Sequence, residues 1–183
     1  DAELNLSQLR QSAKNFTKAE LKKELPLLEA MTEGANLSRD LVNLPPNIAN
    51  PDHMALTAKE LTKLGIKVKV LGEKEMEKLG MNCLLAVGRA SHQESRLVIM
   101  KYTGNKKSKD YKAIVGKGVM FDSGGYNLKP SAGMAMMKGD MAGAAAVMGA
   151  MKALAMRKSN ANVIGVCGCV MNMIDGGGFL PSD

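Results

Sequence analysis

Gly116-Lys117-Gly118-Val119-Met120-Phe121-Asp122-Ser123-Gly124-Gly125 runs on through Asn127-Leu128-Lys129-Pro130 to Met137-Lys138-Gly139-Asp140-Met141. The residues from Lys112 to Met120 read as an apolar strand, which delivers Lys117 and Asp122 toward its C-terminal end. Open α/β sheets place ligands at that end. Gly124-Gly125 allows a sharp turn with close backbone approach. Asp140 then stands at the start of a helix predicted over 140–157. Two carboxylates and two amines thereby converge on one rim.

Each of these residues also has a plainer reading. Asp is preferred as a helix N-cap, which would account for Asp140. Asp122 beside Ser and two Gly fits a turn former. Lys117 and Lys129 fit lysines that reach solvent. Other chemistries fit less well. The segment has no Gly-x-x-x-x-Gly-Lys-Ser/Thr phosphate loop, and Gly116-x-Gly118 lacks the remaining glycine of a dinucleotide fingerprint. Ser123 has no Gly-x-Ser-x-Gly around it and no His placed to serve it. His53 falls in a predicted helix and His92 in a loop, neither in a ligand spacing. Met134, Met136, Met137 and Met141 fit core packing. The residues alone thus support a candidate acidic metal rim.

Outward from this segment, Thr17 to Leu44 reads as helix, with Thr17 and Glu20 at capping-box spacing and Pro26 as an interruption that opens a second helix. Leu27, Ala30, Met31, Gly34, Leu37, Ser38 and Leu41 recur at helical spacing. Asn50-Pro51 reads as an N-cap with Pro in the first turn, and Gly65 as a stop. Ile66 to Val70 alternates as a strand with one wet face. A short helix over 73–79 ends at Gly80. Arg96–Tyr102 and Lys112–Met120 read as strands joined by a polar loop, and an antiparallel hairpin is expected of them. Asn162–Val170 is an apolar run of buried-strand type. Strands alternating with helices predict an α/β, three-layer fold with a mixed, mostly parallel sheet.

The chain has 183 residues, 45% hydrophobic but only 3% aromatic, with 15 Met, 19 Gly and no Trp. That is enough for one domain with an aliphatic, methionine-filled core. Its formal charge of +7 is spread along the sequence, with no basic tract or interleaved aromatics. Nucleic-acid binding is therefore disfavoured. Cys83, Cys167 and Cys169 are an odd set in apolar runs, which points away from a disulfide framework and toward a reducing, cytoplasmic setting. No stretch reads as a signal peptide or a membrane span. The first residue is Asp1 rather than Met, so the native N-terminus is expected to lie elsewhere.

The central segment closely resembles the signature of the leucyl (cytosol) aminopeptidase family, G-K-G-x-x-F-D-S-G-G, then L-K-P, then M-K-x-D-M-x-G-A-A. Gly116 to Gly125, Leu128 to Pro130 and Met137 to Ala145 follow that order and spacing. Arg39-Asp40-Leu41-Val42-Asn43 with Pro45-Pro46-Asn47 resembles the family's R-D-L-V-N-x-P-x-N. The resemblance spans about Leu27 to the end. It implies a linker helix region over 1–44 and, over 45–183, the N-terminal half of a zinc-exopeptidase-type catalytic domain. It also implies a two-metal site, with Zn, or Mn or Mg at an exchangeable position. Lys117, Asp122 and Asp140 align with metal ligands, Asp122 with the one that contacts both ions. Lys129 aligns with a catalytic lysine that stabilises the oxyanion, and Met137 with a wall of the pocket for the first side chain. A lysine binds metal only as a free amine, so the cation must depress its pKa. Peptide substrates and a homohexamer are implied as partners.

The family completes its site with N-T-D-A-E-G-R, which this sequence does not contain. Met171-Asn172-Met173 stands where the family usually has E-N-M, Ser182 replaces the Gly of P-G-D, and Phe179-Leu180 replaces a commonly basic region. The expectation is an aminopeptidase releasing leucine-like N-terminal residues whose site needs further residues, so that these 183 residues alone are inactive. The alternative is a non-catalytic structural or interaction paralogue.

Overall fold

Thr17 opens the first helix as a capping box. Its hydroxyl accepts the Glu20 N–H at 3.2 Å, and the Glu20 carboxylate accepts the Thr17 N–H at 2.8 Å. Helix α1 (Lys18–Asn43) then runs without a break through Pro26. The interruption expected at Pro26 does not occur. Pro26 lies on the exposed side, so the carbonyl that loses its N–H partner there can be solvated instead. The computed structural model describes residues 17–183; the start of the linker region expected over 1–44 lies outside them.

After α1 come α2 (Pro51–Glu60), a 3-10 turn (Leu61–Leu64), β1 (Lys67–Leu71), α3 (Glu73–Lys78), α4 (Asn82–Gly88), β2 (Arg96–Thr103) and β3 (Lys112–Asp122). A second 3-10 turn (Met134–Gly139), α5 (Ala142–Met156) and β4 (Asn162–Asn172) complete the chain. Asn50 caps α2 by accepting the His53 N–H at 2.9 Å, with Pro51 in the first turn. Gly65 and Gly80 take φ of 84° and 69°, where a side chain would be strained. Helix α4 was not expected; its N-terminal end, at Met81, carries no side-chain cap.

The strands form one mixed sheet in the order β1-β2-β4-β3. β1 pairs with β2 and β2 with β4 antiparallel, whereas β3 and β4 are parallel, so the sheet is mixed as expected but not mostly parallel. The hairpin expected between β2 and β3 is therefore not formed, because β4 lies between them. β4 is the strand that gains most from the centre: Val163, Cys167, Cys169, Val170 and Met171 are all buried. β3 instead carries Lys112 and Lys117, both exposed, and lies at an edge. Its parallel pairing with β4 requires a long crossover, which α5 supplies.

Helix α5 lies close on β3 and β4 because small residues meet there. A Cβ on Gly116 would lie 2.5 Å from Gly143 O, and one on Gly165 2.9 Å from the Val147 side chain. Helix α1 packs on α5 in turn, with Gly34 and Gly149 in backbone contact and Ser38 Oγ donating to Ala145 O at 2.9 Å. On the opposite side of the sheet, Leu84 of α4 sits over Gly168, and Leu71, Met76, Leu85 and Leu97 form a second apolar cluster. The main core is aliphatic and rich in methionine: Met54, Met100, Met120, Met141, Met148 and Met151 are fully buried.

Candidate active site

The parallel pair β3–β4 sets the site. Gly116 lies opposite Cys167, Gly118 opposite Cys169 and Val119 opposite Val170; the register then shifts, and Asp122 lies opposite Asn172. The offset between partners falls from 51 to 50, so β3 carries one extra residue there. A bulge of this kind re-aims the side chains that follow it. Met120 and Phe121 are accordingly both buried, at 0% and 1%, where strict alternation would expose one of them. Beyond Asp122 the chain turns on Gly124 and Gly125, with φ of 91° and 62°. A Cβ on Gly124 would stand 2.3 Å from Asn127 O, so the turn closes too tightly for a side chain.

Two lysine–carboxylate pairs occupy the rim. Lys129 Nζ donates to Asp122 Oδ2 at 2.7 Å. Asp122 Oδ1 accepts the Gly124 N–H at 3.0 Å and Asn172 Nδ2 at 2.7 Å. Burial pushes the Asp122 carboxyl up, but the Lys129 ammonium, the Gly124 N–H and the Asn172 amide outweigh it and hold it below its ordinary value. Lys117 Nζ donates to Asp140 Oδ1 at 2.8 Å. Asp140 Oδ2 is also near, at 2.6 Å, but is buried and receives no well-directed hydrogen bond. The second 3-10 turn ties the pairs together: Lys129 Nζ lies 2.9 Å from Met137 Sδ, and the Asp140 N–H donates to Met137 O at 3.3 Å.

The residues singled out from sequence thus fall on one segment of the rim, with Lys117 bonded to Asp140 and Lys129 to Asp122. Asp140 does not cap α5. It ends the 3-10 turn, and the N-cap position belongs to Met141, which has no side-chain bond. The plainer turn reading of Asp122 is partly right, since its Oδ1 does accept the Gly124 N–H. Two residues take roles that the sequence did not indicate: Ser123, set aside there as a nucleophile, and Asn172. Ser123 is 7% exposed; its hydroxyl donates to Asn172 O at 2.7 Å and accepts the Gly125 N–H at 3.1 Å. Asn172 reaches Asp122 from the end of β4. The family-like Asn172-Met173 pair was the one available signal for it. Cys167 and Cys169 are buried, and burial pushes the Cys167 thiol up to about 12 and Cys169 higher still, which leaves both protonated.

A divalent cation needs several oxygen or nitrogen donors converging on one point. Two carboxylates and a lysine amine, with one buried Asp140 oxygen lacking a well-formed hydrogen bond, fit part of such a site. Among the described residues no group of three or more His, Cys, Asp and Glu converges.

Residues 36–183 match the family model described as the cytosol aminopeptidase family, catalytic domain. The chain belongs to the cytosol aminopeptidase family. It is 56% identical over 155 residues to a probable cytosol aminopeptidase of Agrobacterium fabrum, covering 85% of this chain and 31% of that protein. A probable cytosol aminopeptidase of Brucella anthropi is 52% identical over 162 residues, covering 88% of this chain and 32% of that protein. Among solved structures, the bottromycin maturation enzyme BotP in complex with Mn superposes with a TM-score of 0.73 at 36% identity, covering 89% of this chain and 34% of BotP. The chain therefore spans about a third of the length of the relatives it matches. Among the described residues no helix is long and apolar enough to cross a membrane.

Proposed function

We propose that this chain forms part of a metal-dependent aminopeptidase that releases N-terminal, leucine-like residues from peptides. The observation that carries the proposal is the pairing of Lys117 with Asp140 and Lys129 with Asp122 on one rim, inside the region that matches the family. The Mn named with BotP supports divalent metal use. Asp122, Asp140 and the neutral amine of Lys117 would hold the ions, of which the complete site takes two, Zn, or Mn or Mg at the exchangeable position. Such cations supply Lewis acidity toward a peptide carbonyl and toward water.

The chain's own residues would do the rest. Each carboxylate now carries a lysine as counter-charge. Lys129, whose ammonium neutralises Asp122 here, would stabilise the negative charge that develops on the carbonyl oxygen. Lys117 would lose its proton on becoming a ligand. Met137, half-buried against Lys129, would wall the pocket for the first side chain. Residues 45–183 would be the first half of the catalytic domain and α1 its linker, in a cytoplasmic homohexamer. Met171, which replaces a Glu of the family pattern, is buried in the apolar core, and no observation favours the non-catalytic alternative.

The test is hydrolysis of leucine anilide by the full-length protein. It should require Mn or Zn and stop with a chelator. These 183 residues alone, which supply at most two carboxylates and an amine to the site, should show no turnover. Metal-independent hydrolysis, or ordinary turnover by this segment, would refute the proposal.

A further inference from the structure

A carboxylate that serves a reaction centre has to present a chosen oxygen, yet rotation about its terminal torsion is soft. In Asp122 the two oxygens are used differently. Oδ1 takes two donors from the protein, the Gly124 N–H and Asn172 Nδ2, and Oδ2 is turned to Lys129. The hydrogen bond donated by Asn172 Nδ2, at 2.7 Å, falls on a charged acceptor, which makes it one of the stronger kind.

Three features together place Asn172 for this contact. The bulge in β3 brings Asp122 level with Asn172. Ser123 then clasps the Asn172 carbonyl twice, through its N–H at 3.0 Å and its hydroxyl at 2.7 Å. Gly125 leaves room for the amide, since a Cβ there would stand 2.9 Å from Asn172 Oδ1. A strand end that only needed pairing would call for the backbone bond, not for the side-chain contact and the space made for it.

We infer that Asn172 is a positioning residue, which fixes the plane of the Asp122 carboxylate so that Oδ2 faces the reaction rim. The inference rests on the proposed metal-dependent function. Partners that orient a ligand carboxylate typically matter by about 10- to 100-fold in metal affinity or activity.

The experiment uses the full-length protein and titrates Mn(II), reading free Mn(II) by electron paramagnetic resonance. Asn172→Leu keeps the approximate shape and removes the donor; it should weaken Mn(II) binding about 10-fold or more. Asp122→Asn should weaken it further. Asn172→Leu added to Asp122→Asn should then cost nothing more, because the contact it removes has already lost its purpose. Equal losses from Asn172→Leu in both backgrounds would indicate a general structural role and overturn the inference. Tight binding by Asn172→Leu while Asp122→Asn has lost its metal would also overturn it, and would leave the proposed function standing. Tight binding by Asp122→Asn would sink the metal role of Asp122, and this inference with it. If Asn172→Leu does not fold, Asn172→Ala is read by the same criteria.

Discussion

Replacing Gly116 by Ala probes the contact that sets Lys117 against Asp140. A Cβ at position 116 would stand 2.5 Å from Gly143 O and 2.7 Å from both Cα and N of Ala144. Comfortable carbon contacts begin near about 3.5 Å, so the deficit is roughly 1 Å. All three atoms are backbone of the first turn of α5. None can turn aside as a side-chain tip would, so the start of the helix has to retreat. Overpacking of this kind costs about 1–3 kcal/mol. Relief of the glycine's conformational freedom returns about 0.5–1 kcal/mol. The two ranges leave a net loss of about 0–2.5 kcal/mol, and a clash of this depth against unyielding backbone belongs in its upper half. Gly143 faces the same gap from the other side, where a Cβ would lie 2.9 Å from Lys117 N. Retreat of α5 therefore draws Asp140, three residues before Gly143, away from Lys117. Urea unfolding of the metal-free protein, followed by circular dichroism, measures the loss as a shift in midpoint at unchanged slope. A Gly116→Ala protein as stable as the parent, with the Lys117–Asp140 pair intact, would refute the close-packing argument.

Asp122→Ala should cost more bound metal than Asp140→Ala in the full-length protein, because Asp122 is proposed to serve both ions; elemental analysis checks it, and equal, mild losses would count against the assignment. Lys129→Ala should lower turnover by about 10²–10³ with metal content unchanged, as for loss of one electrostatic stabiliser; loss of metal would move Lys129 into the ligand set. In the metal-free protein the Asp122 carboxyl is held below its ordinary value of 3.8, so its contribution to stability is complete above that value and is lost as pH falls through its lower value in the folded chain. Asp122→Asn should flatten that part of the acid limb in urea unfolding, and an unchanged limb would contradict the shift. Thr17→Ala removes the cap of α1 and should destabilise that helix by about 1 kcal/mol, read as earlier loss of helical signal on heating.

What was legible in the sequence is what acts over short separations. The capping box at Thr17 and Glu20, the Asn50-Pro51 start of α2, and the stops at Gly65 and Gly80 each depend on residues within one turn. Each is found where the sequence placed it. That the rim residues from Lys117 to Asp140 lie together was legible for the same reason, since one strand, the loop after it and one 3-10 turn carry them all. Pairing between distant strands was not legible. β2 and β3 are adjacent in sequence and both look like strands, but whether they pair depends on a competitor 50 residues further on. β4 wins the central place because it is apolar along its length, whereas β2 and β3 carry lysines that an edge or a half-open face can leave wet. Asp140 shows the limit on a smaller scale. Its type and position fit an N-cap, yet Lys117, 23 residues earlier, takes its carboxylate. Asn172 lay furthest from view. A charged residue in a motif advertises itself, but an amide that aims it does not, and the contact exists only because a single extra residue in β3 changes the offset to β4. Had the pairing continued from Val119 and Val170 without that shift, Asn172 would face Phe121 and Asp122 would face Met173. The charge at the rim is thus written in local sequence, while its orientation is written in the register of two strands that meet only in the fold.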